Sequence, residues 1–110
     1  MKFGLEQNII DNFSDIFSKY SQIEKVLIFG SRAKGNYTEV SDIDLAFFGD
    51  KLTQSIIGDV LLNIEELYLP YKTDAQLFTG IKNAALTEHI ERTGVIFYIR
   101  CSSPSPTPEY

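Results

Sequence analysis

Residues 25–48, KVLIFGSRAKGNYTEVSDIDLAFF, decide the fold. Lys25 to Phe29 is a β-rich apolar run that stops at Gly30, the pattern of a buried strand ended by a turn. Asp42 to Phe48 reads as a second strand, closed by Gly49-Asp50. Between them, residues 30–41 are rich in turn formers and basic groups and show no apolar helical stripe. Parallel neighbours need a crossover of about a dozen residues or more, generally a helix. A loop or a single helical turn fits residues 30–41, so a tidy doubly wound sheet is excluded.

Outward from this pair lie stretches with the helical period of 3.6. On the N-terminal side, Ile9, Ile10, Phe13, Ile16, Phe17 and Tyr20 fall on one helical stripe, broken by Ser21 and Gln22. On the C-terminal side, Ile56, Ile57, Val60, Leu61, Ile64 and Leu67 share a face, with Thr53 placed as N-cap and Pro70 closing the helix. Tyr71 to Phe78 predicts a third strand ended by Gly80, with Asp74 and Gln76 on one face and Thr73, Ala75 and Leu77 on the other. A third helix, from about Asn83 to Arg92, is expected to end on a left-handed Gly94. Val95 to Ile99 makes a fourth strand. The order α-β-loop-β-α-β-α-β predicts an α+β fold: one small mixed β-sheet with helices packed on it.

The chain has 110 residues, enough for one domain that buries roughly two-thirds of its unfolded surface. That domain is expected over residues 1–100. Residues 101–110, CSSPSPTPEY, hold three of the four prolines and read as a Ser/Pro-rich disordered tail. Ten Lys and Arg stand against 15 Asp and Glu, a formal charge of −5, which argues against general nucleic-acid binding. One cysteine and one histidine build neither a disulfide framework nor a structural zinc site. No apolar run suits a membrane span and the start carries no signal-peptide pattern, so a cytoplasmic protein is expected.

The chemistry points to the same central stretch. Gly30 and Gly35 have Walker A spacing, but Asn36-Tyr37 stands where Lys-Ser/Thr is required, and a dinucleotide fingerprint lacks a glycine. A Gly-Ser pair at the end of a buried strand still lets backbone N–H groups approach an anion, and Ser31, Arg32 and Lys34 add a hydroxyl and two cations. The plainer alternative is a bare turn with solvated charges. Asp42 and Asp44 tip the balance. They share one strand face roughly 6.5–7 Å apart, and such a pair repels unless a counter-ion intervenes. Hard oxygen ligands select magnesium or manganese. Asp74 becomes a third carboxylate if its strand lies beside the second, in an arrangement suited to two metals. His89, amid charges on the third helix, and Cys101, in the tail, are weak candidates. Tyr37 either stacks on a base or covers the core.

Strand-Gly30-Ser31-Arg32-Ala33-Lys34-Gly35, followed by Ser41-Asp42-Ile43-Asp44-Leu45, resembles the signature of the minimal nucleotidyltransferases of the DNA polymerase β-like nucleotidyltransferase superfamily. Ten residues separate Ser31 from Asp42, and the resemblance extends in element order over residues 1–99. It implies that Asp42, Asp44 and Asp74 are catalytic and bind magnesium, two ions with manganese as substitute. It also implies that Gly30, Ser31 and Arg32 hold the triphosphate of ATP. The implied reaction is nucleotidyl transfer, usually of AMP. The implied partner is a HEPN-type helical protein in a two-gene system, in which some small members act as antitoxins that adenylylate a partner tyrosine. Ala75-Gln76 departs from the apolar residues usual after the third aspartate. Two rivals are a non-catalytic nucleotide-binding module and a small-molecule nucleotidyltransferase of the antibiotic-modifying kind.

Overall fold

The computed structural model describes residues 3–38 and 41–100; the expected tail, Cys101 included, lies outside the described residues. The chain runs α1 (Gln7–Ser18), β1 (Lys25–Phe29), α2 (Ser31–Lys34), β2 (Ile43–Phe48), α3 (Gln54–Glu65), β3 (Thr73–Leu77), α4 (Ala84–Thr93) and β4 (Val95–Ile99). The strands form one sheet in the order β3-β2-β1-β4. β1 pairs antiparallel with β2 and β4, whereas β2 and β3 are parallel. Connection length explains the mixture. The one-turn α2 lets the chain only double back, while α3 is long enough to return it in parallel.

Alternation sorts the strands into two faces. Val26, Ile28, Ile43, Leu45, Phe47 and Leu77 join the main core with Phe13, Ile16 and Phe17 of α1 and Ile57, Val60 and Ile64 of α3. The other face is thinner, where Leu27, Phe29 and Ala46 meet Ile90 of α4. Phe17 anchors α1 through edge-on rings, its centroid 5.3 Å from Phe47 and 5.5 Å from Tyr98. Such geometry adds about 0.5–1.5 kcal/mol per pair beyond burial.

The helix ends follow the local chemistry with two departures. Thr53 Oγ1 accepts from the Ile56 N–H at 3.3 Å, and Asn83 Oδ1 accepts from the N–H groups of Ala85 and Leu86. α3 stops at Glu65, and the chain turns at Tyr68, φ 53°, before Pro70 is reached. Gly94 is extended (φ −68°, ψ 145°) and not left-handed, because α4 feeds directly into β4. Room explains the glycine: a Cβ there would press on the Ile90 carbonyl and come within 3.1 Å of Leu27. No helix among the described residues is long and apolar enough to cross a membrane.

Candidate functional site

Strand register gathers the acidic residues. Phe29, the last residue of β1, lies opposite Asp44 in the antiparallel pair. Asp44 in turn lies opposite Asp74 in the parallel β2–β3 pair. Gly30, Asp42, Asp44 and Asp74 therefore share one end of the sheet. Ile43, Leu45 and Leu77 take the main-core face, which puts Asp44 and Asp74 on the opposite face.

Gly30 sits at φ 79°, ψ −154°, a conformation costly for any other residue. A Cβ on Gly30 would also collide with Asp44 Oδ2, so the backbone at the end of β1 and the Asp44 carboxylate are in contact. Ser31 opens the single turn of α2. The Lys34 N–H donates to the Gly30 carbonyl at 3.1 Å and the Gly35 N–H to the Ser31 carbonyl at 3.0 Å. Gly35, at φ 88°, closes the turn. The first backbone N–H groups of such a turn have no helical acceptor, which suits an anion.

The carboxylates repel. Burial pushes the Asp44 carboxyl above its ordinary value, and the charges of Asp74 and Asp42 push it further. Asp42 and Asp74 are exposed and Asp44 half-buried. Among the described residues, no group of three or more His, Cys, Asp or Glu side chains stands arranged to hold a metal ion. The donor set nonetheless fits a hard divalent cation. It is all carboxylate oxygen, its negative charge is uncompensated at Asp44, and exposed Asp42 and Asp74 can change rotamer on the ps–ns timescale.

Arg32 departs from the expectation that it faces the phosphates: it is 1% exposed. Its Nε donates to the Ser41 carbonyl at 3.1 Å and its Nη1 to the Phe3 carbonyl at 2.8 Å. Tyr37, itself exposed, lies against this guanidinium, 5.4 Å from ring centroid to Cζ. His89 stays on α4, where its carbonyl accepts from the Thr93 hydroxyl at 2.7 Å. Sequence reasoning missed Ser41 and Tyr71. Ser41 sits beside Asp42, which is a signal, whereas nothing local marks Tyr71. A cavity of about 280 Å³ beside Leu61, Ile64, Leu69 and Tyr71 opens on the main-core side and includes none of the aspartates.

Residues 11–102 match the family described as Polymerase beta, Nucleotidyltransferase. Over 47 residues the chain is 47% identical to a curated relative of Methanocaldococcus jannaschii named "Putative protein adenylyltransferase MJ0604". That match covers 41% of this chain and 47% of the relative, so the chain spans about half the length of the relative it matches. In fold it is similar to a chain of "Crystal structure of the toxin-antitoxin with AMP-PNP", with TM-score 0.67 and 16% identity over 88% of this chain and 76% of that one. A chain of the toxin-antitoxin MntA-HepT crystal structure gives TM-score 0.63 and 12% identity, over 86% and 74%. At these identities the likeness is one of fold.

Proposed function

The chain belongs to the polymerase beta nucleotidyltransferase family, and on that premise we propose that it transfers AMP from ATP to a hydroxyl group. The acceptor in this reading is a tyrosine of a HEPN-type helical partner in a two-gene toxin-antitoxin pair. The β2–β3 register carries the proposal, since it sets Asp44 opposite Asp74 while the Asp44 carboxylate abuts Gly30. The names borne by similar proteins support its finer parts: a protein adenylyltransferase, and toxin-antitoxin structures of which one holds AMP-PNP.

Gly30 lets a triphosphate approach the backbone at the end of β1, where N–H groups and the Ser31 hydroxyl donate to phosphate oxygens. Asp42, Asp44 and Asp74 would hold magnesium, or manganese in its place, which neutralises the charge gathered on the phosphates. Asp74 accepts the proton of the acceptor hydroxyl as its oxygen forms the bond to the α-phosphorus. The bond from that phosphorus to the bridging oxygen breaks and pyrophosphate leaves. Orientation and charge complementarity supply most of the rate.

ATP with magnesium should raise the melting temperature by mass action, and Asp42→Asn should abolish the rise. A folded wild type that shows no rise overturns the proposal. Nucleotide binding without transfer would favour a module that acts by docking alone, and transfer to a small hydroxylated compound would favour the antibiotic-modifying kind.

A further inference from the structure

Among the described residues, Arg32 is the one polar or charged side chain that is buried. Burying a guanidinium is costly unless its donors are met, so its partners report what the charge is kept for. Ser41, whose carbonyl accepts from Nε, immediately precedes Asp42. Ser41 is itself tied down: its N–H donates to the Thr38 carbonyl at 3.2 Å and its Oγ accepts from the Thr38 N–H at 2.8 Å. On the far side of Asp42, the Ile43 N–H donates to the Lys72 carbonyl at 2.8 Å, at the entry to β3. The guanidinium lies over the Tyr71 ring, 4.8 Å from its centroid, which links Arg32 to that same entry.

We propose that Arg32 is a positioning residue that locks the Gly30–Ser31 turn to the segment bearing Asp42. It lies one residue after Ser31 in α2, so its bond to Ser41 is a direct strut between the phosphate side and the carboxylate side of the site. The proposal rests on the nucleotidyltransferase reading and deepens it. A lysine cannot replace the strut, because an ammonium lacks the planar fork that bonds two carbonyls while lying flat on a ring.

The test uses Arg32→Lys, and Tyr71→Leu as a variant that leaves both loops unchanged and carries the test if Arg32→Lys does not fold. Manganese chloride is titrated calorimetrically into each protein saturated with AMP-PNP, and amide hydrogen exchange is followed in the metal-free proteins. Arg32→Lys should weaken manganese binding about 10- to 100-fold, the usual loss when a group that orients a ligand is removed. AMP-PNP binding without metal should change little, and exchange at residues 31–35 and 41–44 should quicken together. Tyr71→Leu should shift both readouts the same way by less. A folded Arg32→Lys that binds manganese as wild type does, or that merely melts earlier, overturns the strut. A wild type that takes up neither AMP-PNP nor manganese overturns the nucleotidyltransferase reading instead, and the strut's role in the site falls with it.

Discussion

Asp44 occupies a position that folding alone gives no reason to make acidic. It is half-buried in a central strand, opposite Asp74 and against the Gly30 backbone. Burial and two neighbouring charges disfavour its ionised form, so the folded chain holds this proton more tightly than the unfolded chain does. Stability therefore falls as pH rises from aspartate's ordinary range through the raised value of Asp44, and the penalty is complete above it. Asp44→Asn is expected to leave the metal-free protein as stable at pH 7 or more so. The gap should narrow at about pH 3.5, where the Asp44 carboxyl is protonated in the folded chain and largely so in the unfolded one. Thermal melts followed by circular dichroism at the two pH values check this; a lower melting temperature for Asp44→Asn at pH 7 would make Asp44 a structural group.

The elements divide their work by face, and the division has a measurable asymmetry. Phe17 of α1 is fully buried among Phe13, Phe47, Phe97 and Tyr98, whereas Phe48 on the thinner face stacks on Phe78 under Lys25 and is half-buried. Phe17→Ala should cost about 3–5 kcal/mol in urea unfolding, a large share of a small domain's stability. Phe48→Ala should cost clearly less, and equal losses would contradict the two-face account. The helical faces were legible in the sequence, because a 3.6 period in α1 and α3 follows directly from which side chains meet the core, whereas β1 is apolar from Val26 to Phe29 and no alternation sorts its two sides. Gly94 was not. Its spacing after α4 suits a left-handed cap, but the backbone must extend into β4, and the crowding by Ile90 and Leu27 that demands glycine comes partly from a distant strand.

At the scale of the molecule, the site exists because strand order and register bring together residues from separate parts of the chain. The motif from Gly30 to Asp44 was readable as a linear pattern, and so was the face that Asp74 shares with Gln76. The pairing of Asp44 with Asp74 was open until the order β3-β2-β1-β4 was known, since local periodicity says nothing about which strands are neighbours. Arg32 was misjudged for a related reason: its partners Phe3 and Ser41 lie 29 and 9 residues away, so its sequence neighbourhood of Gly30, Ser31 and Lys34 suggested a cation facing the phosphates. In the proposed function, this end of the sheet moves AMP onto a hydroxyl of a helical partner. Intact-mass spectrometry tests this, on the proposed HEPN-type partner after both proteins are incubated with ATP and magnesium. The partner should gain adenylyl increments located on tyrosine, and Asp42→Asn should abolish them. A folded pair that leaves the partner's mass unchanged and releases no pyrophosphate from ATP would contradict it.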